Sequence, residues 1–228
     1  MTLAESQDTY ADIAMQIWDH AELGYQEHKS SQLLQDTLAN AGFKVEAGVA
    51  NIPTAFVASY GEGQPVIGIL AEFDALPGIS QAAVPIRQGL PGKAAGHACG
   101  HHLFGAGSTA AAIAVKDWLA DTPRQGTIRL YGTPAEEGGS GKVYMVRAGL
   151  FDDVDTVLHW HAENETVESE FLALGAAHCH QSSQQSLPQI VALTDSWYIH
   201  PPVTNCRTWF WPTRHWAIPR DCHAWFRY

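Results

Sequence analysis

Positive charge, long apolar runs and cysteine are all scarce in this sequence, and each shortage closes a class of function. Lys and Arg together number 13 against 24 Asp and Glu, which leaves a formal net charge of −11. Nucleic acid is therefore not an expected partner, because neutralising phosphates requires clustered Lys and Arg. No stretch reaches the ~18 consecutive apolar residues of a spanning helix, so no membrane partner is expected either. The opening MTLAESQDTYADIAM has no basic segment leading into an apolar one. A secretory leader is thus not expected, and the cytoplasm is the expected compartment. Four cysteines in 228 residues do not make a disulfide scaffold, so Cys99 reads as a reduced thiol. Against these shortages, 46% of the residues are hydrophobic, enough for a substantial core.

The densest chemistry lies between Gly96 and Gly107, in GHACGHHLFGAG. His97, Cys99, His101 and His102 fall within six consecutive positions. Imidazole and thiolate suit zinc and its neighbours. Cys99 and His101 are two apart, which a helix would place on different faces and an extended or turning backbone on one side. The cluster is expected on a loop, with a helix starting just after it in LFGAGSTAAAIAVKDWLA.

Upstream, residues Leu3 to Leu23 read as a helix with Ile13, Ile17 and Trp18 on one side, broken at Gly24. A second helix carries Leu33, Leu34 and Leu38 and ends at Gly42. FKVEAGV and TAFVASYG have the alternation of strands. PVIGILAEFDALPG reads as a buried strand, Val66 to Phe73, that ends in the polar Glu72 and Asp74. ISQAAVPIRQGLPGKAA is a loop leading into the His/Cys cluster. TIRLYGT is a strand followed at once by PAEEGGSGK, then a helix over VYMVRAGLF, then a strand from Val154 to Leu158 with His159 and His161 at its end. Strands alternate with helices from Val66 to His161. That order predicts an α/β fold with a mostly parallel sheet flanked by helices.

Asp74, the pair Glu136 and Glu137, and His161 then each follow a strand. Open α/β sheets bind ligands beyond the carboxyl ends of their strands, so these residues, Cys99 and His101 are expected at one rim. Taken singly, each has an ordinary alternative: a turn cap for Asp74, an exposed acidic loop for the glutamates, one buried and one solvated histidine at positions 159 and 161. Together they offer two to four ligands, and of two adjacent glutamates one can bind metal while the other takes a proton from water. Two other readings remain open: a metal-binding fragment without turnover, and a Cys–His nucleophilic hydrolase using Cys99, which would need no metal.

AELGYQEHKSS, AEFDALPG, GHACGHH, TPAEEGG and LHWHA occur in that order, and over about residues 5–172 the chain resembles the metallo-aminoacylase and carboxypeptidase family. It is most similar to the subgroup of aminobenzoyl-glutamate hydrolase and the auxin-conjugate amidohydrolases. The resemblance implies that Cys99, His101, Glu137 and His161 are metal ligands, that Glu136 is the general base, and that Asp74 is a catalytic acidic residue beside them. It gives His97 and His159 no ligand role and leaves both as supports for the ligands. His102 stands where many relatives carry Asp. The implied cofactor is one or two zinc or manganese ions, and the implied substrate is a small N-acyl amino acid or dipeptide-like amide. Full-length relatives of roughly twice this size add a lid domain that dimerises, a lid histidine and a last ligand histidine.

Residues 176–228 differ in character. They hold five of the eight Trp, three of the four Cys and five of the twelve His, but no Gly, Lys or Glu. No helix or strand period is legible there, and Cys179, Cys206 and Cys222 match no standard zinc spacing. The expectation is a partial catalytic domain over residues 1–175 and an atypical tail over 176–228, produced by a shifted reading frame, with no lid. Such a chain is expected to be inactive or nearly so.

Overall fold

The structure, a computed structural model, describes residues 6–82 and 84–162. The expected tail and the boundary near residue 175 lie outside them. The described residues open with two helices, α1 (Gln7–His20) and α2 (His28–Asn40), and strands β1 (Lys44–Ala47) and β2 (Phe56–Glu62). Strand β3 (Val66–Ala71) follows, then a two-stranded ladder of β4 (Leu76–Pro77) and β5 (Ala95–Gly96) within the long loop. Helix α3 (His101–Ala120), strand β6 (Gly126–Gly132), helices α4 (Glu136–Gly139) and α5 (Gly141–Arg147), and strand β7 (Thr156–Leu158) complete the order.

The main sheet has the order β1-β2-β6-β3-β7. Its half made of β6, β3 and β7 is parallel, and β2 and β1 extend it as antiparallel strands. The α/β reading thus holds, and the parallel half is where the polar residues gather. Strand β3, VIGILA, is nearly continuously apolar because both faces of the sheet are covered. Ile69 and Ala71 face a core shared with Ile13 and Ile17 of α1, Leu34 and Leu38 of α2, and Ile128 and Leu130 of β6. Leu70, between them, faces the opposite core with Tyr131, Met145, Phe151 and Val157. Among the described residues no helix is long and apolar enough to cross a membrane.

Three local features differ from the sequence reading. Helix α3 starts at His101 rather than after the cluster. Gly100 turns the chain at φ +84°, and its carbonyl accepts the amides of Leu103 and Phe104 at 2.9 and 3.1 Å. His101 and His102 are therefore in the first helical turn, and Cys99 stays in the preceding turn. The glutamates 136 and 137 lie in the short helix α4, not in a loop. Strand β3 ends at Ala71, two residues earlier than expected, so Glu72, Phe73 and Asp74 all run beyond the sheet. Helix α3 packs directly under that extension. A Cβ at Gly105 would lie 2.9 Å from the Glu72 carbonyl oxygen, so only glycine permits the approach.

Candidate metal centre

Strand β3, helix α3, helix α4 and the segment after β7 converge at one rim of the sheet. His101, at the start of α3, is fully buried there. Its Nδ1 lies 2.9 Å from Asp74 Oδ1 and 3.2 Å from the Asp74 carbonyl oxygen. Both are acceptors, so Nδ1 carries a proton and Nε2 is the nitrogen that faces the centre. Asp74 uses its other oxygen, Oδ2, to accept the Glu137 amide at 2.9 Å. One buried carboxylate thus orients a histidine and a glutamate 36 positions apart; Asp74 is a positioning residue in this geometry.

His161 repeats the arrangement. Its Nδ1 donates to the Ala162 carbonyl at 2.9 Å, and its Nε2 faces Cys99 Sγ at 3.3 Å. Cys99, His101 and His161 each direct one donor atom to a common point, all within 4.8 Å of one another. Glu136 Oε2 and Glu137 Oε1 lie 3.9 and 4.0 Å from His101 Nε2. Every residue expected at the rim is there. Glu137, expected as a ligand, stands slightly back from the tight Cys99–His101–His161 group.

His97 and His102 turn away from this point. His97 Nε2 donates to the Ile17 carbonyl at 3.0 Å, and His102 packs edge-on against Trp18 at 4.8 Å between centroids. They tie the rim to α1. His159 supports the site from the side, with Nε2 3.4 Å from Glu72 Oε1 and its ring edge-on to Phe104.

Two buried charges were not assigned from sequence. Glu72 Oε2 lies 2.9 Å from His101 Nε2. Glu72 Oε1 pairs with Lys142 Nζ at 2.5 Å, and both side chains are sequestered from solvent. The signal for Glu72 was its position two before Asp74, on the same side of an extended chain. For Lys142 it was a cation one turn before the buried Met145 on α5.

The glutamate pair itself is clamped from α2. Glu27, fully buried, accepts the Ala135 amide at 2.8 Å and the Thr54 hydroxyl at 3.0 Å. Ala135 and Ser140, on either side of α4, both sit in the left-handed region, at φ +57° and +53°. Such residues persist only where their surroundings fix them. Besides Glu27, the Tyr25 hydroxyl donates to the Gly139 carbonyl. The AELGYQE motif is therefore a support for EEGG.

Electrostatically the centre is an anionic pocket. Burial, reinforced by the charge of Glu72, pushes Glu136 up to about 7. Burial also raises Glu137 and the Cys99 thiol. Burial opposes charge on His101, but Asp74, Cys99 and Glu72 outweigh it and raise its pKa strongly. Burial likewise works against an ionised Glu72, and Lys142, His101 and His159 overcome it to hold that carboxyl well below the usual range. The Cys99–His161 spacing would also suit a thiol nucleophile and its base, but activated cysteines have lowered pKa values and Cys99 is shifted the other way.

Donor chemistry and orphaned atoms both fit a divalent metal. Glu72 Oε2 and Glu137 Oε1 are buried without a well-aligned hydrogen bond, and both face His101 Nε2, at 2.9 and 4.0 Å. Two ligand atoms about 2.0–2.3 Å from one ion lie roughly 3.0–3.6 Å apart, which matches the Cys99–His161 separation of 3.3 Å. Cys99, His101 and His161 would hold such an ion, with Glu137 beside them.

Fold and donor set define the class: an α/β protein with a Cys/His/carboxylate metal centre beyond its strand ends. The family follows from direct comparison. The chain belongs to peptidase family M20/M25/M40, whose model matches residues 68–213. It is 54% identical over 156 residues to a subunit of the p-aminobenzoyl-glutamate hydrolase of Escherichia coli, covering 68% of this chain and 32% of that protein. It is 32% identical over 168 residues to IAA-amino acid hydrolase ILR1-like 5 of Arabidopsis thaliana, covering 72% of this chain and 37% of the relative. The crystal structure of the Bacillus subtilis YXEP protein, a dinuclear metal binding peptidase from the M20 family, superimposes with a TM-score of 0.61 at 25% identity. That match covers 69% of this chain and 43% of the other. The chain spans about a third of the length of these two curated relatives.

Proposed function

We propose that this chain carries the metal-ligating and proton-transfer residues of an amidohydrolase for N-acyl amino acids or small dipeptide-like substrates, working with one or two zinc or manganese ions. The observation that carries the reading is the meeting of Cys99, His101 and His161 within 4.8 Å, from a turn, a helix start and a strand end. A family of peptidases and relatives named as hydrolases of aminobenzoyl-glutamate and of IAA-amino acids support the amide bond as the target. A divalent ion in such a site polarises a carbonyl and lowers the pKa of a coordinated water to about 7. The ligand set is Cys99, His101, Glu137 and His161. Glu136, beside them and titrating near neutrality, is suited to accept a proton from the attacking water and pass it to the leaving nitrogen. Asp74 holds His101 Nε2 towards the centre and keeps the Glu137 backbone in place.

Metal analysis of the purified chain, combined with an amidase assay on a panel of N-acyl amino acids in added zinc or manganese, tests the proposal. Stoichiometric metal with turnover supports it; absence of bound metal removes it. A second reading, metal binding without turnover, takes the Cys99, His101 and His161 group as a metal site alone. Metal without hydrolysis of any panel member selects that reading.

A further inference from the structure

We propose that Glu72 is a metal-ligating carboxylate, with Oε2 turned to the ion that His101 binds and Oε1 held by Lys142 as its internal counter-ion. This deepens the metal-centre reading above and rests on it.

His101 has one nitrogen to offer, because Nδ1 is committed to Asp74. The carboxylate oxygen nearest to Nε2 is Glu72 Oε2 at 2.9 Å, against 3.9 Å for Glu136 and 4.0 Å for Glu137. Two atoms sharing one ion through bonds of about 2.1 Å stand roughly 3 Å apart. An ion that takes Nε2 therefore has Glu72 within bonding range before either glutamate of α4. Glu72, His101 and Glu136 in fact form a second group whose donor atoms fall within 4.8 Å.

The rest of the carboxylate is arranged to leave that oxygen available. Glu72 is 1% exposed, and Oε2 faces His101 Nε2 at 2.9 Å without a well-aligned hydrogen bond. A buried carboxylate oxygen without a partner costs free energy unless a cation satisfies it. Oε1 is occupied, by Lys142 Nζ at 2.5 Å and His159 Nε2 at 3.4 Å. Lys142 is itself 4% exposed, so the pair has fixed geometry and Oε2 has one direction to point. Without metal, a protonated His101 Nε2 pairs with that oxygen; a divalent ion that takes Nε2 displaces the proton and meets both atoms.

The test uses the whole 228-residue chain, loaded with Co²⁺ and, separately, titrated with Zn²⁺ against a competing chelator. Replacing Glu72 alone would strand a buried lysine, so the main variant is Glu72→Gln combined with Lys142→Met, which removes both charges at similar volume. This variant is expected to bind Zn²⁺ at least about tenfold more weakly. Its Co²⁺ ligand-field bands are expected to change, while the thiolate-to-cobalt charge-transfer band from Cys99 remains. A smaller loss of affinity with unchanged ligand-field bands overturns the proposal. Lys142→Met alone keeps the ligand and removes a buried positive charge near the ion, which lowers the electrostatic cost of bringing in a dication, so it is expected to bind Zn²⁺ more tightly than the parent. Equal or weaker binding overturns the proposal even where the double variant fails to fold. A parent chain that binds no metal overturns the metal-centre reading and this proposal together; a parent that binds while both variants match it overturns this proposal alone.

Discussion

The Glu27 carboxylate accepts the Ala135 backbone amide at 2.8 Å, joining residues 108 positions apart in the chain. Ala135 is the residue that turns into α4, and it does so at φ +57°. A buried acid on α2's threshold thus fixes the backbone that presents Glu136 and Glu137. Burial raises the pKa of Glu27, so its protonated form is relatively favoured in the folded chain.

Glu27→Ala should therefore destabilise the protein and loosen α4. Leaving a buried amide without its acceptor costs about 1–3 kcal/mol, read as a lower urea midpoint. Glu27→Gln keeps a carbonyl oxygen for Ala135 and is expected to recover most of that loss. Equal midpoints for the parent and Glu27→Ala would show that Ala135 needs no such support.

The contrast between Glu27 and His101 shows what sequence could and could not reveal. The convergence of Asp74, Cys99, His101, Glu136, Glu137 and His161 was legible, because parallel strands put their carboxyl ends at one rim. The helix register around His101 was not legible. A six-residue run of ligands reads as loop, and the positive φ of Gly100 that starts the helix leaves no mark beyond the glycine itself. Glu72 and Lys142 were missed for a different reason: a Glu and a Lys 70 positions apart have no period to betray them, and charged residues are rarely buried unless paired. Glu27 was hidden likewise, since its partner is a backbone amide, which carries no sequence signature.

Cys99→Ser should lower zinc or manganese occupancy strongly. A hydroxyl is a much poorer ligand than a thiolate, and Cys99 Sγ faces His161 Nε2 at 3.3 Å. Metal content measured by atomic emission after gel filtration decides this. Occupancy equal to that of the parent chain would remove Cys99 from the ligand set.

Glu136 and Glu137 should part company despite being neighbours. In an active preparation, Glu136→Gln is expected to retain metal and lose on the order of 10²-fold or more in rate, the range for a lost general base. Glu137→Gln is expected to lose metal, because a neutral amide replaces the carboxylate whose buried Oε1 faces the centre. Parallel measurement of metal content and amidase rate separates the two roles, and equal metal loss in both variants would contradict the division.

Acid should weaken the fold through His97 and His102. Both rings are buried, and burial lowers each to about 4. The cause is visible for His97: Nε2 donates to Ile17, and Nδ1 is buried without any partner for a second proton. In the unfolded chain a histidine titrates near 6.5. Between about 6.5 and 4 the unfolded state therefore binds more protons than the folded one, and stability falls as pH falls. Above that window both states are neutral and the effect is absent. The slope is about 1.4 kcal/mol per pH unit for each histidine, or on the order of 2 kcal/mol each between pH 6.5 and 5. Glu27, Glu136 and Glu137 are shifted upward by burial and pull the other way, so the reading is a difference between proteins. Urea midpoints at pH 7.5 and 5, in excess chelator, should fall less for a His97→Gln/His102→Gln variant than for the parent. The glutamine at 97 keeps an N–H for Ile17 while removing the titrating group. If parent and variant lose the same stability over that interval, the two histidines are not the acid-sensitive element of the rim.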